Sequence, residues 1–140
     1  MEFLITPYVS AGIIALGDVR ETVRAKLMVP YESFYKTGSS KVETDAFDEI
    51  GVHVYYDKDY RVEVVELFEP AVPMFKNTNL LGTPYSQLLE LFSTIDGNLG
   101  ENDSGLTSYE QGIGLYAPYK EDEPNLNCEG IIVFKKGYYF

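Results

Sequence analysis

The amino-acid sequence predicts an α+β fold in two layers, with one continuous antiparallel sheet carrying helices on one of its faces. Three observations lead there. Alternating apolar runs come in hairpin-like pairs, helical periodicity occurs twice, and the order helix, hairpin strand, closing strand is given twice within 140 residues.

The first segment, MEFLITPYVSAGIIALGDVR, is apolar in places but has no basic stretch ahead of its apolar run, which Pro7, Ser10 and Gly12 interrupt. It is expected to be neither a signal peptide nor a membrane span. In GDVRETVRAKL, Asp18 is the expected N-cap, Glu21 stands three residues on as in a capping box, and Val19, Val23 and Leu27 share one helical face. Residues 50–57, IGVHVYYD, alternate as a half-buried strand does, and 60–69, YRVEVVELFE, follow a short polar turn, so the two form a hairpin. The segment 70–75, PAVPMF, carries two prolines and reads as an extended connection with a strand-like end.

The second half retraces this path. In GTPYSQLLELF, Thr83 is the expected N-cap, Pro84 takes the first helical position, and Tyr85, Leu88, Leu89 and Phe92 make the apolar stripe. The strand 109–118 mirrors 47–56, pairing Gly51 with Gly112, Val54 with Leu115 and Tyr55 with Tyr116. The strand 129–137 mirrors the stretch from 63, pairing Glu63 with Glu129 and Phe68 with Phe134. The offsets are 65 residues at the helix, 61 at the hairpin strand and 66 at the closing strand, so one duplication with a small insertion is expected. The polar, Gly-rich stretches 36–49 and 96–108 hold the same place in each half and read as loops with room for a short extra strand. The chain is therefore expected to be one domain, 1–140, built of two pseudo-repeats over about 9–70 and 72–138.

A compact domain of this size buries roughly 68% of the surface its unfolded chain exposes, enough to fold without disulfide or metal. One cysteine, Cys128, allows no internal bridge, and a cytosolic location is the default expectation. Twenty-two acidic against eleven basic side chains give a net charge of −11. That balance argues against attachment to nucleic acid or anionic membrane, which needs a basic patch, and favours a basic protein partner. Twelve tyrosines and eight phenylalanines without tryptophan suit both half-buried strands and protein interfaces.

A glycine, a capped helix and antiparallel strands, given twice, resemble the tandem-repeat arrangement of the β-lactamase inhibitor protein fold. The single-unit lipoprotein fold of the outer-membrane assembly machinery is similar. The resemblance implies a sheet face used to clasp another protein. The chain departs from that inhibitor, which is secreted and disulfide-bonded. The segments IGVHVYYDKDYRVEVVELF and GLTSYEQGIGLYAPYKEDEP with EGIIVFKKGYYF also resemble small acidic bacterial immunity proteins of contact-dependent or polymorphic toxin systems. That resemblance implies an antidote to a toxin and carries over no site residue.

Chemistry is not legible. The one histidine, His53, has neither a second histidine nor a cysteine at a spacing that completes a triad or a zinc site. No phosphate-cradling glycine motif occurs, and the acidic turns at 57–59 and 101–105 lack the ligand ladder of a calcium loop. No catalytic residue, cofactor or metal is expected. The favoured reading is a non-catalytic module that blocks a basic, nuclease-type toxin; the alternative is a small-molecule site or weak enzyme with a pocket near His53. Candidate contacts are Asp57, Asp59, Glu63, Glu101, Asp103, Glu121, Asp122 and Glu123, with Tyr55, Tyr56 and Tyr116 as anchors.

Overall fold

The computed structural model describes residues 1–139. Thirteen strands and two α-helices form a mixed α+β fold that is mostly sheet among the described residues. The first half holds β1 (Glu2–Thr6), β2 (Ser10–Ala11), β3 (Ile14–Ala15), α1 (Arg20–Leu27), β4 (Glu32–Phe34), β5 (Thr44–Phe47), β6 (Val52–Tyr56) and β7 (Val62–Leu67). The second holds β8 (Val72–Phe75), β9 (Thr78–Asn79), α2 (Tyr85–Ile95), β10 (Gly100–Asn102), β11 (Gly105–Ser108), β12 (Ile113–Tyr116) and β13 (Gly130–Phe134).

There are two sheets where the sequence predicts one. Eight strands in the order β10-β11-β12-β13-β7-β6-β5-β4 form a wholly antiparallel sheet, and five more in the order β3-β2-β1-β8-β9 form the second. The second sheet escaped the sequence reading because its strands are short and because β1 pairs with β8 in parallel, Phe3 opposite Pro73. A parallel pair brings together segments far apart in the chain, which no local turn signal announces. The stretches 36–49 and 96–108 do hold strands, β5 in the first and β10 and β11 in the second.

Register fixes what each face carries. On one face of the eight-stranded sheet, Asp45, Val54, Val65, Val133, Ile113 and Ser108 stand in one row across six strands, all buried. Phe47, Val52, Leu67, Ile131, Leu115 and Leu106 make the next row and are likewise buried. These rows join Val23 and Leu27 of α1, Leu88 and Phe92 of α2, and Phe3, Ile5 and Phe75 of the smaller sheet in one continuous core.

The helix starts differ from the sequence reading. Asp18 does not cap α1; its carboxylate accepts the Ala15 amide at 3.1 Å and the Lys26 ammonium at 2.7 Å. Thr83 donates its hydroxyl to the Asn79 carbonyl instead of capping α2. Backbone carbonyls from hairpin loops take over. The Arg20 amide donates to the Tyr60 carbonyl at 3.0 Å, and the Tyr85 amide to the Leu126 carbonyl at 2.9 Å. Single bridges beside them, Val19 with Arg61 and Pro84 with Asn127, tie each helix start to the loop that closes its own hairpin. The first-turn donors are thus satisfied by main chain, so a side-chain cap is dispensable.

Candidate functional site

The other face of the eight-stranded sheet carries the polar and aromatic residues. One row across it reads Ala46, His53, Glu66, Ile132, Gly114, Thr107 and Gly100. A neighbouring row places Tyr116 beside Gly130 and Gly105. Between these rows runs a groove of about 260 Å³, lined by Glu66, Thr107, Gly114, Tyr116, Gly130 and Ile132 with Asn102 and Ser104 at its rim. Its floor is low because glycines occupy strand positions where side chains would stand. A Cβ on Gly105 would lie 1.8 Å from the Leu115 carbonyl oxygen, and one on Gly114 2.7 Å from Cγ1 of Ile132.

At the middle of the face, His53 and Glu66 form a linked cluster. Nε2 of His53 lies 2.7 Å from Asp48 and Nδ1 lies 3.4 Å from Glu66 Oε1, while the Tyr55 hydroxyl donates to that same oxygen at 2.8 Å. The rings of Phe34 and Phe68 meet the imidazole edge to face, at 5.5 and 4.9 Å between centroids. Glu66 holds the His53 pKa above its ordinary value against the opposing effect of burial, and Asp48 adds to the rise. The imidazolium in turn lowers the Glu66 carboxyl, helped by Tyr55. A histidine whose folded pKa is raised stabilises most below its unfolded value of about 6.5, and this contribution is lost as pH rises through the folded pKa. Thermal midpoints of the native chain should therefore fall, relative to those of His53→Gln, as pH climbs from 6 to 9; parallel profiles would exclude the charged pair.

His53 does not line the groove. Cys128 is buried, and burial pushes its thiol up to about 12, so it is an inert side chain at neutral pH. It lines a larger cleft of about 600 Å³ with Glu69, Val72, Asn79 and Glu129. No group of three or more His, Cys, Asp or Glu side chains that could hold a metal occurs among the described residues. No helix among them is long and apolar enough to cross a membrane.

The residues singled out in the sequence fall at opposite ends of the sheet. Asp57, Asp59 and Glu63 belong to the turn joining β6 and β7 and to the start of β7. Asp57 serves that turn: it accepts the Asp59 and Arg61 amides and meets Lys135 at 3.3 Å. Burial would raise its carboxyl, but these donors hold it below the ordinary value. Glu63 also lies near Lys135, at 3.7 Å. Glu101, Asp103, Glu121, Asp122, Glu123 and Tyr116 gather at the other end. The Ala117 amide donates to the Ser104 carbonyl at 2.6 Å, and Lys120 bridges Glu101 and Glu121 at 3.3 Å each, stitching the β10–β11 turn to the loop after β12.

Two tyrosines depart from the anchor role expected of them. Tyr56 is turned into the core, where its hydroxyl donates to the buried Asp45 at 2.9 Å, so it cannot meet a partner. Tyr55 is half-buried beneath Lys36, whose ammonium lies 4.5 Å from its ring centroid. Tyr116 alone of the three is exposed. Part of the aromatic excess is taken up in packing: half-buried Tyr8 and Tyr138 and exposed Tyr139 surround Phe134. The groove residues Glu66, Gly114 and Gly130 were missed from the sequence, although glycines inside an alternating strand are the signal that marks such a floor.

Comparison of the chain with protein-family models, with curated proteins and with solved structures finds no match.

Proposed function

We propose that this chain is a non-catalytic, protein-binding module of the immunity type, acting in the cytosol to cover a basic, nuclease-type toxin. One observation carries the reading. Exposed Asp103, Asp122 and Glu123 lie at the same end of the sheet as the exposed Tyr116, while exposed Glu101 and Glu121 are held there beside α2 by Tyr85 and Lys120, in a chain of net charge −11. Exposed carboxylates and an exposed aromatic side chain at one end of the molecule suit a basic surface, since complementary charge speeds encounter and a desolvated ring holds the complex.

The same reading holds that the open face arises from two copies of one unit, with β1 outside the repeat and both helices on the buried face. Each half runs hairpin, helix, then four strands, and the halves meet at β7 and β13. The pairs Arg20–Tyr60 and Tyr85–Leu126 support it, being offset by the same 65 and 66 residues as the sequence echoes. Arg24 of α1 reaches Asp45 and Asp96 after α2 accepts from Ser108, the two ends of one buried row, which supports a shared helical face.

Capture from a lysate of the native host at low salt tests the reading, with the triple variant Glu121→Lys, Asp122→Lys, Glu123→Lys beside the native chain. One basic protein should be retained, released by a salt step, and bound roughly tenfold more slowly by the variant. A blank, or equal association rates at low salt, would remove the acidic loop from any interface.

A further inference from the structure

We infer that the groove between Glu66 and Tyr116 is a receptor for one arginine side chain of the basic partner, an assignment that rests on the binding-module reading. The first half of the sheet already displays the arrangement. There the Lys36 ammonium lies 4.5 Å from the Tyr55 ring centroid, and the Tyr55 hydroxyl reaches Glu66 at 2.8 Å. In the second half Ile132 stands where Glu66 does, so Tyr116 has neither cation nor carboxylate from its own half, and Glu66 is the carboxylate that shares its groove. Tyr116 stands where Tyr55 stands in the sequence echo, is 52% exposed, and carries neither cation nor hydrogen bond on its side chain among the described residues. Gly114 stands where His53 does, each in the row of Glu66 and Ile132; Ile132 leans over the glycine, its Cγ1 2.7 Å from where a Cβ would stand, so an aliphatic wall takes the place of the imidazole.

The chemistry of the lining selects the occupant. Glu66 is the one charged residue lining the groove, and its Oε2 accepts no hydrogen bond among the described residues. Ile132 and the Gly114–Gly130 floor offer apolar surface for a methylene stem, and Tyr116 offers a ring face for stacking. Glu66 and Tyr116 stand two strands apart, roughly 10 Å across the sheet. A planar guanidinium stacks on a ring and hydrogen-bonds a carboxylate in a fixed fork, which a compact ammonium cannot do. Asn102, Ser104 and Thr107 on the rim can meet main-chain groups on either side of the inserted residue.

The test is a titration of the ¹⁵N-labelled full chain with acetyl-Gly-Arg-Gly-amide, followed by NMR, with the citrulline peptide as the neutral isostere. Saturable shifts should appear at the amides of Gly114, Tyr116 and Gly130. Affinity should drop on the order of tenfold for citrulline, and similarly for Glu66→Gln and for Tyr116→Ala, whose exposed side chain can be removed without threatening the fold. No saturable shift at those amides, or equal affinity for the two peptides, would overturn the assignment. If the groove stays silent while a salt-released basic protein is still captured, the arginine site falls and the binding module stands. Saturation of the groove in a chain that captures no basic protein would keep the guanidinium site and remove the toxin reading.

Discussion

Arg24→Ala should cost about 3–5 kcal/mol, because it leaves a buried carboxylate without its counter-charge. Asp45 has no exposed surface, and Arg24 of α1 grips it with two hydrogen bonds, Nε to Oδ2 at 2.9 Å and Nη2 to Oδ1 at 2.8 Å. Among the described residues, Ser33 and Tyr56 donate the other side-chain hydrogen bonds to it, from neutral hydroxyls at 2.8 and 2.9 Å. Burial pushes the Asp45 carboxyl upward, but Arg24, Ser33 and Tyr56 outweigh it and hold the group below its ordinary value of 3.8. A carboxylate with a lowered folded pKa stabilises above its unfolded pKa and loses that contribution as pH falls through the folded one. The native chain should thus lose this contribution only in strong acid. In Arg24→Ala the lone carboxylate can relieve itself by taking a proton, so the deficit should be largest near pH 7 and shrink toward pH 4. At a few degrees of Tm per kcal/mol, the variant should melt roughly 10 °C lower at neutral pH. Restoring neutrality with Arg24→Ala plus Asp45→Asn should recover part of the loss, and a midpoint unchanged by Arg24→Ala would show that α1 does not depend on this pair.

That pair also shows where the sequence was readable and where it was not. The apolar stripe of α1 was legible, since Val23 and Leu27 recur at helical spacing and both are buried. The role of Arg24 was not, because pattern alone turns a helical arginine toward solvent. Only the buried Asp45, on a strand hidden within a polar stretch, draws it inward. The central hairpins were legible for a different reason. Alternation over 52–56 and 62–67 fixes both strand and face, and the closing strand 130–134 repeats it. The helix caps were misread because Asp18 and Thr83 are good local signals that lose to long-range carbonyls, Tyr60 and Leu126. At the candidate site, exposed Tyr116 and the loop acids were visible as residue types. The groove beside them was not, because it consists of what Gly114 and Gly130 lack, and its depth depends on which strands become neighbours.

Phe92→Ala should destabilise the chain by about 3–5 kcal/mol, the range for emptying a buried aromatic site. Phe92 is fully buried on α2 and stacks on Phe75 of β8, with centroids 5.5 Å apart and planes 12° from parallel. The stack joins α2 to the five-stranded sheet, while Leu88, one turn earlier on the same helix, is buried in the same core. The cavity should therefore be felt in both sheets. Phe75→Ala should be costly as well, and the double variant should cost less than the sum by about 0.5–1.5 kcal/mol, the worth of an aromatic pair beyond its buried area. Two probes decide whether one core spans the molecule: thermal melting and amide exchange in β1, β8, β6 and β7. One cooperative transition, moved down by roughly 10 °C, with protection falling alike in both sheets, is the result expected of a continuous core. If β1 and β8 lost protection while β6 and β7 kept theirs, the smaller sheet would be a separate cooperative unit. The open face of the larger sheet would then owe its geometry to the eight strands alone.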